Sequence, residues 1–231
     1  MLRTNIDIEY IQKHHITPTS IECPFDTNIY LRYLNENKNR VIQKNTGPRV
    51  LNLWRETPLV IQDLVNYLQG IFGKFYVTST LIFNVNAPHV IHNDDDLEHN
   101  AFLAFCLPLK YVGDSDDIKL ILFNQYYYQG GAKFFRYDNK ERPVFSHKNL
   151  SIYDDVFFLS DAGINNEFKQ EYLTHLQDSW LQGLTIDTVL DWKVGDILCF
   201  NCNQLHCSSN FLSKGVDSKI ALSIFTAKER R

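Results

Sequence analysis

The sequence predicts a mainly β protein of α+β character, a sandwich or barrel of short strands with helices buttressing one face. Three observations carry that expectation. One strongly amphipathic helix stands before residue 75. Beyond it the chain breaks into short apolar runs separated by turn residues, the texture of strands. No repeat, low-complexity tract or linker divides the 231 residues. One domain, 1–231, is therefore expected, with a helical support region at 1–74. A β core follows at 75–231, carrying an inserted loop and helix region at about 138–185. Helices followed by many short strands favour layers packed on a common core.

The helix is read over 57–72. Thr57 is the expected N-cap and Pro58 occupies the first helical position, where its missing N–H costs nothing. Ile61, Leu64, Val65, Leu68, Ile71 and Phe72 share one face, and Gly73 ends the helix. Strands are expected at 75–86, 101–111, 118–125, 133–137, 195–201 and 220–226. Gly113-Asp114, Gly130-Gly131 and Asn210 supply turn chemistry between them. A second helix is read over 167–177, with Phe168, Tyr172, Leu173 and Leu176 on one side. The long polar connection 138–166 is the expected lid or binding loop.

Composition narrows the function classes. A chain with 44% hydrophobic and 13% aromatic residues can bury a large core. A net charge of −4 offers no general basic field for nucleic acid, which makes a nucleic-acid partner unlikely. No segment approaches the ~18 consecutive apolar residues of a membrane span, and the N-terminus lacks the apolar stretch of a signal peptide. Five cysteines, an odd number in a chain this size, suit reduced thiols in a cytoplasmic setting.

The chemistry concentrates around Pro88-His89-Val90-Ile91-His92-Asn93-Asp94, directly after an apolar strand. In extended backbone, residues i and i+2 point to the same face, so His92 and Asp94 can reach one metal. His206, beyond the strand containing Ile197, Leu198, Cys199 and Phe200, supplies a third ligand. Two imidazoles and one carboxylate on one face leave coordination positions open, the arrangement used by non-haem Fe(II) oxygenases. Fe(II) with one carboxylate carries a formal +1, which suits an anionic co-substrate. Lys219, thirteen residues after His206, opens a strand on which it shares a face with Ser223. A buried lysine strongly prefers a carboxylate partner, and Lys219 with the metal would neutralise dianionic 2-oxoglutarate.

An H-x-D pair, a distal histidine and a basic residue on the next strand resemble the Fe(II)/2-oxoglutarate-dependent dioxygenase superfamily. Within it, the small bacterial and phage-type phytanoyl-CoA hydroxylase-like enzymes are most similar. The resemblance rests on His89 to Asp94, on 190–211 and on 219–226. It implies a double-stranded β-helix, the jelly roll also called cupin-like. It also implies Fe(II) on His92, Asp94 and His206, 2-oxoglutarate against Lys219, O2 as oxidant and hydroxylation of a small-molecule substrate. Many relatives use arginine with a serine two residues later, whereas here Lys219 is followed by Ala221 and then Ser223. Asp94 disfavours halogenation, in which halide replaces the carboxylate.

Blander readings stand beside these. A non-oxidative metal-binding cupin-type barrel, an isomerase or ligand-binding module, is the alternative function. Asp95, Asp96, Glu98 and His99 read as a solvated turn. Cys199, Cys202 and His206 lack a fourth soft ligand at zinc-finger spacing, and Cys199 reads as a core residue. Asn124, Gln125 and Arg136 are candidate substrate contacts. Tyr126, Tyr127, Tyr128, Phe134 and Phe135 line a pocket or pack the barrel. His14, His15, His147 and His175 are expected at the surface, and Trp54, Trp180 and Trp192 in packing roles.

Overall fold

The computed structural model describes residues 12–44, 47–51, 53–95, 101–127, 134–137, 140–145, 163–181 and 183–228. The chain begins with β1 (Thr19–Glu22), α1 (Asn28–Glu36), β2 (Ile42–Lys44) and β3 (Gly47–Leu51). Then come α2 (Leu53–Glu56), α3 (Pro58–Phe72), β4 (Tyr76–Val85), β5 (Ala101–Gly113) and β6 (Lys119–Tyr126). The hairpin β7 (Phe134–Tyr137) and β8 (Lys140–Phe145) precedes α4 (Asn166–Tyr172) and α5 (Asp178–Leu181). The chain closes with β9 (Ile186–Asp191), β10 (Asp196–Asn201), β11 (Gln204–Ser208) and β12 (Val216–Ala227).

A large sheet has the order β1-β10-β5-β12-β4-β3-β2 and a small one the order β11-β6-β9. Their pairings are antiparallel. The small sheet gains a further position through an isolated bridge between His92 and His206. From β4 the chain crosses to that bridge, returns to the large sheet in β5 and crosses again to β6 and β9. It goes back to β10, over to β11 and finally home in β12. This winding of two facing sheets makes a double-stranded β-helix.

Side-chain alternation sorts the residues into layers. On β5, Leu103, Phe105, Leu107 and Leu109 face outward and pack with Ile61, Leu64, Val65 and Leu68 of α3. The opposite face of β5 turns Ala104 and Cys106 inward against Leu120, Leu122 and Phe200. Ile121 and Phe123 of β6 point out of the small sheet onto Leu173, Leu176 and Trp180. Helical residues thus cover both outer faces, not the one expected. The expected helical support at 1–74 also contains β1 to β3, which lengthen the large sheet at its two edges.

The predicted helix over 57–72 forms from Pro58, and Gly73 ends it at φ +77. Thr57 marks the boundary without capping: its hydroxyl donates to the Leu53 carbonyl at 3.3 Å. Ile71, expected in the stripe, is 49% exposed, while Phe72 beside it packs on Phe105 of the large sheet at 5.4 Å between ring centroids. The second helix stops at Tyr172, and Leu173 and Leu176 are buried from the turns that follow.

Candidate metal centre and its cavity

The bridge after β4 fixes the first two candidate ligands. His92 N–H donates to the His206 carbonyl at 2.9 Å, and His206 N–H donates back at 2.8 Å. Asp94 N–H donates to the Cys202 carbonyl at 2.8 Å, which pins the next turn of extended chain to the β10–β11 connection. Residues 92, 94 and 206 consequently face inward together. His92 Nε2 lies 3.7 Å from Asp94 Oδ1, and His206 Nε2 lies 3.4 Å from Asp94 Oδ2. One donor atom from each of the three lies within 4.8 Å of the others.

The tautomers follow from the partners. His92 Nδ1 sits 2.8 Å from the Val90 carbonyl and His206 Nδ1 sits 3.0 Å from the Gln204 carbonyl. A carbonyl only accepts, so each Nδ1 carries the hydrogen and each Nε2 keeps its lone pair for a metal. Burial, with His206 and His89 adding to it against the opposing pull of Asp94, holds His92 well below the usual histidine range. The His92 ring is therefore neutral, the form that metal binding would require. Two imidazole nitrogens and one carboxylate oxygen on one side fit a divalent first-row ion with open positions.

The three residues line a cavity of about 250 Å³ between the sheets. Its walls are largely apolar, from Leu81, Phe83, Val85, Leu120, Phe200 and Phe225. Cys106, Ser208, Lys219 and Ser223 add polar atoms. Lys219 is only 6% exposed, and its ammonium donates to Ser208 Oγ at 2.9 Å. The rings of Trp192 and Phe211 each lie 5.0 Å from its Nζ. No carboxylate among the described residues pairs with it, and burial lowers its pKa to about 8. Burial likewise pushes the Cys106 thiol up to about 11, against the pull of Lys219.

The structure thus brings His92, Asp94, His206, Lys219 and Ser223 into one cavity. Asn124 and Gln125 do not reach it. Asn124 is exposed and donates to Thr185 Oγ1 at 2.9 Å, while Gln125 accepts from Thr185 N–H at 3.2 Å. Both amides tie the end of β6 to the segment before β9. Arg136 lies on β7, but its side chain is outside the described residues, as is most of the expected lid at 138–166. Sequence reading passed over Ser208, although it shares the inward face of β11 with His206, two residues on. It also assigned Trp192 to packing alone and missed Cys106 as a cavity residue. His89, set aside as a ligand, lines the cavity with its ring centroid 4.5 Å from that of His92.

Other readings divide in the same way. Cys199, Cys202 and Cys207 are buried in three different clusters, so they share no site. Tyr127 packs outside the small sheet with Ile91 and Leu205, and Tyr126 stacks on His15 at 4.6 Å. His15 and His175, expected at the surface, are half-buried, and that burial lowers both to about 4. Asp95, expected in a solvated turn, is 6% exposed. Asp96, Glu98, His99, Tyr128 and His147 lie outside the described residues.

By sequence, no family model and no curated protein matches the chain. By shape, matches are many. The non-heme alpha-ketoglutarate-dependent carbocyclase SnoK of nogalamycin biosynthesis superposes with TM-score 0.52 at 13% identity, over 98% of this chain and 85% of its own. The non-heme alpha-ketoglutarate-dependent epimerase SnoN of the same biosynthesis gives 0.50 at 8% identity, over 96% and 82%. This chain has the fold of the Fe(II)/2-oxoglutarate-dependent oxygenases. The likeness is one of fold, so the roles of residues rest on the geometry above. In this oxygenase fold the candidate ligands sit on the two segments that face each other across the small sheet, the His92 bridge and β11.

Proposed function

We propose that the chain is an Fe(II)- and 2-oxoglutarate-dependent oxygenase that hydroxylates a C–H bond of a small organic substrate, releasing succinate and CO2. The observation that carries this reading is the buried ammonium of Lys219, which no carboxylate among the described residues pairs with, in the same cavity as the His92–Asp94–His206 cluster. A metal site alone would give that lysine no task.

His92, Asp94 and His206 would hold Fe(II), and bound there it would supply the redox chemistry that couples O2 to 2-oxoglutarate. Lys219 would bind the far carboxylate of the co-substrate, with Ser223 a further hydroxyl in the same cavity; the Ser208 hydroxyl accepts from Lys219 and donates to the Ser209 carbonyl at 3.0 Å. The charges support this: Asp94 and Lys219 contribute −1 and +1, which leaves the +2 ion to match a dianion. The Nδ1–H bonds to Val90 and Gln204 orient the two imidazoles and raise their basicity. Phe200 packs against the His206 ring at 4.6 Å between centroids and, with Phe83 and Phe225, keeps bulk water from the reacting centre.

The partner implied is a small molecule. No described helix is long and apolar enough to cross a membrane. The cysteines are free thiols, which suits the reducing cytoplasm.

The test is succinate formation. Fe(II)-loaded protein given 2-oxoglutarate in air should release succinate slowly even without its substrate, and Asp94→Ala should release none. With the substrate in hand, the product should gain one oxygen atom, which separates hydroxylation from ring closure or epimerisation. Firm metal binding with no 2-oxoglutarate consumption would replace this reading with a non-oxidative cupin-type barrel.

A further inference from the structure

At one end of the cavity, its lining residues Val85 and Trp192 belong to a buried cluster with Ile118, Phe211 and Val216. Lys219 enters at that end from β12, opposite Val85 on one neighbouring strand and Tyr111 on the other. A lysine side chain has four rotatable carbons and a point charge, so by itself it could follow acids of several lengths. Here it is restrained from three sides. The Trp192 and Phe211 rings each stand 5.0 Å from Nζ, within cation–π range, and Ser208 Oγ accepts its hydrogen bond at 2.9 Å. Trp192 comes from the end of the β9 segment and Phe211 from the turn before β12, so two separate connections converge on one ammonium. Lys219 itself lines the cavity.

We propose that Trp192 and Phe211 form an aromatic bracket that fixes the Lys219 ammonium in place and so restricts the co-substrate to an oxo diacid of one chain length. This rests on the oxygenase reading above and adds a specificity device to it. The metal cluster holds the 2-oxo acid end and the bracketed ammonium holds the other. With both ends fixed, a diacid one carbon shorter fails to span them, and one a carbon longer must buckle against apolar walls. Trp192 and Phe211 are positioning residues, since they act through Lys219.

The experiment is anaerobic binding of 2-oxoglutarate, oxaloacetate and 2-oxoadipate to Fe(II)-loaded protein, followed by the visible charge-transfer band. Wild type should bind 2-oxoglutarate most tightly. Trp192→Leu and Phe211→Leu should bind it roughly tenfold more weakly and lose most of the preference over both homologues. Trp192→Phe keeps a ring and should keep the preference, and thermal melting identifies the variants that fold. Equal weakening for all three acids in a folded leucine variant, with the preference intact, would overturn the bracket. So would loss of preference in Trp192→Phe as complete as in Trp192→Leu. Absence of a band in wild type with any of the acids would overturn the oxygenase reading itself, and the bracket with it.

Discussion

His92 and His206 exchange both backbone hydrogen bonds across a single bridge, at 2.9 and 2.8 Å, although they stand 114 positions apart in the chain. Closing the second sheet of the barrel and assembling two candidate metal ligands are therefore one structural event. Asp94 joins them through its own backbone bond to Cys202.

Removing Asp94 should cost the metal and spare the fold. Its side chain lines the cavity and is 16% exposed, so Asp94→Ala removes no packing from the apolar core. Metal content after dialysis against a weak chelator should fall by at least about tenfold relative to wild type, with an unchanged melting curve. Retention of a full equivalent of metal would remove Asp94 from the site.

Lys219 should be a group kept at the expense of stability. A buried ammonium without a carboxylate is unfavourable, and a hydrophobic replacement of similar length relieves it. Lys219→Met should raise the melting temperature of the ligand-free protein, by roughly 2–4 °C for each ~1 kcal/mol gained in a chain of this size. The same variant should lose 2-oxoglutarate binding in calorimetry. A lowered melting temperature would mean that the ammonium is better satisfied than its surroundings indicate.

The pH dependence has a definite sign. Burial lowers the folded Lys219 pKa to about 8 from an ordinary value of 10.5. Between these values the unfolded chain binds more protons than the folded one, so this group makes the ligand-free protein more stable as pH rises through that window. Co-substrate binding runs the other way, because a dianion favours the charged lysine. Affinity for 2-oxoglutarate should be flat below about pH 8, fall above it by up to about tenfold per unit, and be accompanied there by proton uptake. Affinity independent of pH from 7 to 10 would contradict the role given to Lys219.

The helix layer makes a separate prediction. Leu68 of α3 is fully buried against the large sheet, and Leu68→Ala should destabilise by about 2–5 kcal/mol in chemical denaturation. Its cluster does not line the cavity, so metal content should be unchanged. Loss of metal at native pH would show that the outer layer supports the site more directly than the packing indicates.

Much of this was legible in sequence because strand signals are strongest where both faces are buried. β5 and β12 each sit between two neighbours in the large sheet and read as apolar runs. β11 escaped because three of its five residues, Gln204, His206 and Ser208, are polar and obscure the apolar signal of Leu205 and Cys207. β1 to β3 are short strands at the sheet edges and carry little hydrophobic pattern. The candidate ligands were visible through spacing on extended chain, which depends only on local geometry. Ser208 and the Trp192–Phe211 pair were not, since their shared partner Lys219 reaches them only through packing between sheets. Asn124 and Gln125 misled for a related reason: polar residues ending an apolar strand can serve a cavity or a neighbouring turn, and here Thr185 takes both.

The central claim is that one cavity holds Fe(II) on His92, Asp94 and His206 and 2-oxoglutarate between that metal and Lys219. Its most direct test is anaerobic titration of metal-free protein with Fe(II) and then 2-oxoglutarate, followed by visible absorption, with His92→Ala beside it. The account predicts a charge-transfer band that needs both additions and is absent from the variant. A folded, Fe(II)-loaded wild type that shows no band with saturating 2-oxoglutarate would contradict it.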